Sequence, residues 1–108
     1  LMFHPYFPFI DIHNGGHAIH FLNSIQKINS QIDSDTIVIP GHGAMTNKQG
    51  LTEFQNMLEQ TILEVKDMKH SGMSLSAIQK KGLDKKWQAW GASFINEASW
   101  ISFIYESL

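Results

Sequence analysis

A chain of 108 residues with 43% hydrophobic and 17% charged residues is at most one domain, long enough to bury a core. A net charge of −2 with no basic block gives no support to nucleic-acid binding, and no run approaches the roughly 18 apolar residues of a membrane span. With no cysteine there is no disulfide framework and no thiolate zinc site, and the compartment stays open.

The chain starts at Leu1 in mid-pattern, as a truncation, a processed end or a fragment does. Residues 1–3 predict a short strand. Pro5 and Pro8 oppose both helix and central strand, so an extended loop comes next. Ala18, Phe21, Leu22, Ile25 and Ile28 recur at spacings of three and four and predict a helix over 18–30. After the polar break 31–35, the β-branched run Thr36-Ile37-Val38-Ile39 reads as a strand, stopped by Pro40.

Thr46-Asn47-Lys48-Gln49 fits a capping box with Thr46 as N-cap. The helix it opens runs to about residue 70, with Leu51, Phe54, Leu58, Ile62, Val65 and Met68 on one stripe and Gly72 as its left-handed terminator. Ser74 caps a short helix closed by Gly82. Residues 83–93 read as a loop containing Trp87 and Trp90, whose indoles suit core or interface better than ligand stacking. A last helix over 94–107 carries apolar residues on two sides, Phe94, Ala98, Ile101, Tyr105 and Leu108 against Trp100, Phe103 and Ile104.

The feature with most chemical content is Pro40-Gly41-His42-Gly43. It presents an imidazole at a strand end between two glycines that add no bulk beside it. His42 is either a loop histidine bonded to a nearby carbonyl or a metal ligand. His13, His17 and His20 form a second set. At spacings of four and three they would share a helix face, but Gly15-Gly16 interrupts any helix between the first two.

The segment 36–43 resembles the strand and P-G-H-G loop of the metallo-β-lactamase superfamily, in which that histidine binds the second metal. Pro8-Phe9-Ile10-Asp11 followed by Gly15-Gly16 resembles a segment preceding it in many of its hydrolases, and Leu1-Met2-Phe3 the tail of a G-D-x-x-F strand. Phe94-Ile95-Asn96-Glu97 with Trp100 and Tyr105 is similar to the closing helix of one subgroup. The likeness spans nearly all 108 residues but only the C-terminal half of the family fold. It implies an α/β class: one helix-rich half-domain, residues 1–108, of an αβ/βα sandwich, with two or so short strands.

The superfamily's H-x-H-x-D-H motif, its further histidine and its bridging aspartate are absent from this sequence. The resemblance therefore implies a fragment of a zinc-dependent hydrolase. The intact enzyme would hold one or two zinc ions, whose hydroxide attacks an ester, thioester, lactone or amide carbonyl of a small-molecule substrate. A catalytic zinc needs about three protein ligands, and His42 supplies one, so the isolated chain is expected to hold none and to be inactive. Gly41, Gly43 and Asp11 would structure the loops around the site, Asp11 either as a turn acceptor or by orienting a neighbour. His17 would border the substrate pocket. The expected partner is the missing N-terminal half or a second copy of the chain. The alternative is a non-catalytic dimerisation or partner-binding half-domain. A third reading is a small metal site built from the local histidines.

Overall fold

The computed structural model describes residues 4–40, 45–92 and 95–108. The expected strand 1–3 lies outside them. After an extended segment and a 3-10 turn at Ile12–Asn14 come helix α1 (Ala18–Gln31), strands β1 (Ile37–Val38) and β2 (Thr46–Asn47), helix α2 (Lys48–His70), helix α3 (Leu75–Lys81), a 3-10 helix Lys85–Gly91 and helix α4 (Glu97–Ser107). The described residues thus form a helix-rich α/β unit with one two-stranded antiparallel sheet. Its register pairs Ile37 with Asn47 and Val38 with Thr46.

α2 is the spine, about 34 Å long at 1.5 Å per residue. It packs on α1, α3, α4 and both strands. Its stripe Leu51, Phe54, Leu58, Ile62 and Val65 is buried as the periodicity requires, together with Met57 and Thr61. The helix ends in a Schellman arrangement: Met73 N–H donates to the Met68 carbonyl, Gly72 N–H to Lys69, and Gly72 has φ +95°. Trp100, Ile101 and Ile104 of α4 and Phe7 of the N-terminal segment fill the core against it, with the Phe7 and Trp100 rings stacked at 5.9 Å.

Four local expectations need correction. The N-cap of α2 is Asn47, whose Oδ1 accepts from Gly50 N–H, because Thr46 is held in the ladder with Val38. The second strand of the described sheet is therefore Thr46–Asn47. Residues Lys85–Gly91 are 3-10 helix, started by Asp84 accepting from Lys86 N–H. α4 begins at Glu97, where Asn96 Oδ1 accepts from Ser99 N–H, and its buried face is Trp100, Ile101, Ile104 and Ser107, with Ala98 and Leu108 exposed.

The accessible surface is 6272 Å². A folded monomer of 12.3 kDa exposes about 6,100 Å². The accessible surface is thus close to that of a folded monomer of this mass.

Candidate functional site

Two regions carry the sequence-derived site residues, one at each end of α1. The first is the turn leading into the helix. The carbonyl of Asp11 accepts from Gly16 N–H at 2.6 Å and from Asn14 N–H at 3.2 Å. Its Oδ2 accepts from Asn14 Nδ2 at 2.9 Å. A Cβ on Gly16 would lie 2.6–2.7 Å from the Asp11 backbone, so only glycine permits this approach. Gly15 has φ +91° and reverses the chain. Asp11 thus acts on its own loop through both main chain and side chain.

His17 is the N-cap of α1. Its Nδ1 accepts from the N–H of Ile19 at 3.2 Å and of His20 at 3.4 Å, satisfying two of the helix's unpaired donors. The rings of His17 and His20 stack, 4.2 Å between centroids. Ala18 N–H donates to Ser107 Oγ at 2.9 Å, which fastens this turn to the end of α4. With Nδ1 engaged and the rings parallel, His17 and His20 do not converge on a common point.

The second region is the β1–β2 pair. His42, Gly41 and Gly43 lie between the strands and outside the described residues. The chain leaving β2 is fixed three times over. Gly50 packs against the Thr46 side chain so closely that a Cβ there would overlap its hydroxyl and methyl. Asn47 caps α2. Lys48 Nζ donates to the Asn29 carbonyl, to Asn29 Oδ1 at 3.2 Å and to the Ile32 carbonyl at 3.1 Å. Lys48 therefore supplies the cation that the last turn of α1 lacks.

Between α1, the start of α2 and β1 lies an open cavity of about 520 Å³ walled by Ile25, Ile28 and Ile32 of α1, Leu51 of α2, and Ile37 and Val38. Ile37 and Ile39 are 71% and 76% exposed, and Met45 is 69% exposed.

α1 is 14 residues long, so about 20 Å separates its two ends. The structure brings Asp11, Gly15, Gly16 and His17 together at one end and sets β1 across the open cleft from the C-terminal half of the helix. Among the described residues no three His, Asp or Glu side chains are grouped to hold a metal ion. Sequence reasoning missed Lys48, whose position at the start of α2 carries no signal of a contact with α1, and Ser107, read only as a helix residue. Against known proteins, no family model, no curated protein and no solved structure matches the chain.

Proposed function

We propose that this chain is the helical half of a zinc-dependent hydrolase of metallo-β-lactamase type, contributing His42 to a metal site completed by residues outside these 108. The supporting observation is the apolar face at the strand that leads into Pro40-Gly41-His42-Gly43: Ile37 and Ile39 project into solvent beside a 520 Å³ apolar cleft. A chain whose surface is otherwise normal for its mass concentrates its large exposed aliphatics there, as a docking face does. Zinc in such a site would lower the pKa of a bound water to about 7 and supply hydroxide for attack on an ester, thioester, lactone or amide carbonyl. The described residues do not assemble such a site. Their part in the reading is support: Lys48, Asn47 and the Thr46–Gly50 contact fix the chain on leaving the histidine segment, and Asp11 with Gly16 fixes the loop before α1.

The test is hydrolysis of a panel of chromogenic esters, thioesters and lactones by the protein as purified from its source, with whatever carries the other half. The reading expects metal-dependent turnover that His42→Ala lowers by about a hundredfold or more. Turnover insensitive to both chelator and His42→Ala would refute it.

The same exposed face favours a second reading, a non-catalytic half-domain that self-associates. Light scattering after size exclusion decides it: a dimer that Ile39→Lys converts to monomer supports it, and a clean monomer at all concentrations counts against it.

A further inference from the structure

We propose that the cleft between the 9–13 turn and α4 binds an organic ammonium ion carried on a short apolar body, the chemistry of an arylalkyl amine. The cavity measures about 290 Å³, at the lower edge of small-ligand pockets. It lies apart from the β1 face and does not depend on the hydrolase reading.

Two phenylalanine rings line it. Phe9 is 51% exposed yet held edge-on against Phe103 of α4, 5.5 Å between centroids at 88°. Ile12 closes the side of the turn. Faces of this kind attract cations as well as apolar groups. The rim is acidic from both elements: Asp11 from the turn and Glu106 from α4 line the cavity with Ser102 and His13, and among the described residues no lysine or arginine does so.

The Asp11 carboxylate is oriented by Asn14 Nδ2, and its backbone is pinned under Gly16, so one wall of the cleft is built before any ligand arrives. Glu106 sits in the last turn of α4, where the helix dipole already places negative potential and where a carboxylate is unfavourable for the helix itself. A cation in the cleft relieves both. The two phenylalanine rings beside the carboxylates favour an organic cation over an inorganic one.

The experiment is a ¹H–¹⁵N NMR titration of the 108-residue chain, in chelator-treated buffer, with 2-phenylethylammonium and with neutral 2-phenylethanol. The expected result is saturable shifts at residues 9–13 and 102–106. The alcohol should bind at least about tenfold more weakly, a difference of about 1.4 kcal/mol. Glu106→Gln, at an exposed position, should weaken the amine about three- to tenfold while the melting temperature stays the same or rises slightly, since a helix C-terminus disfavours the carboxylate. Phe9→Leu should weaken it while keeping the fold. Equal affinity for amine and alcohol, no loss in Glu106→Gln, shifts centred elsewhere, or no saturable shift by about 10 mM would each overturn the proposal.

Discussion

The indole N–H of Trp100 donates to Thr61 Oγ1 at 3.0 Å, and that hydroxyl donates in turn to the Met57 carbonyl at 2.7 Å, with Trp100 and Thr61 both fully buried. This relay joins α4 to the middle of α2 through one side chain. It explains why a threonine sits on the apolar stripe of α2: the core holds an indole whose N–H needs an acceptor. Among the described residues no buried side-chain N or O lacks a partner.

Thr61→Val keeps the shape and removes the acceptor, stranding the Trp100 N–H. The expected loss is about 1–3 kcal/mol. Thr61→Ser keeps the relay and should cost less than Thr61→Val. Chemical denaturation of both variants checks the order, and a Thr61→Val as stable as the parent beside a destabilised Thr61→Ser would mean that the methyl matters and the relay does not.

Gly15 and Gly16 are adjacent but answer to different constraints. Gly15→Ala meets nothing within 4 Å and suffers only its φ of +91°, a cost of about 1–2 kcal/mol. Gly16→Ala drives a methyl into the Asp11 backbone at 2.6–2.7 Å. It should cost about 3 kcal/mol and shift the amide resonances of residues 11–17. Thermal melts and NMR spectra of the two variants test the ranking.

Lys48 carries the wrong sign for the start of its own helix and the right one for the end of α1. Lys48→Met keeps the aliphatic stem and loses the three donated bonds. Stability should fall by about 1–2 kcal/mol. Amide exchange should quicken most in the last turn of α1 and at Ile37, Val38, Thr46 and Asn47. Exchange that quickens evenly throughout the chain would contradict this latch.

The exposed face of β1 should be dispensable to the chain's own fold. Ile37→Lys with Ile39→Lys is expected to change stability by less than about 0.5 kcal/mol, since both side chains stand mainly in solvent. The double variant should lose most of the fluorescence of a bound apolar dye. A large destabilisation would show that these residues pack within the chain.

Where side chains answer to their own helix, the sequence alone located the elements. The 18–30 periodicity became Ala18–Gln31, Gly72 closed α2, and Ser74 capped α3 through Ala77 N–H. Misreadings occurred where a distant partner decided. Thr46 has every local feature of an N-cap, but pairing with Val38 claims it and moves the cap to Asn47. Lys85–Gly91 shows no apolar period, because its order comes from Glu64 of α2: one carboxylate oxygen accepts from Asp84 N–H at 2.8 Å, the other from Trp87 Nε1 at 2.9 Å. At the candidate site, the bracing by Asp11 and Gly16 was legible as a glycine-rich turn. The capping role of His17 and the reach of Lys48 were not, since neither leaves a periodic or compositional trace.

The central claim is that His42 is one ligand of a metal site completed by residues outside these 108. The most direct test is the zinc, iron and manganese content of the protein purified without added metal, measured in three forms: the isolated chain, the protein with its other half, and the latter carrying His42→Ala. The account predicts almost no metal in the isolated chain, about one or two ions per molecule in the completed protein, and loss of at least one in the variant. Tight stoichiometric zinc in the isolated chain, or metal content indifferent to His42→Ala, would contradict it.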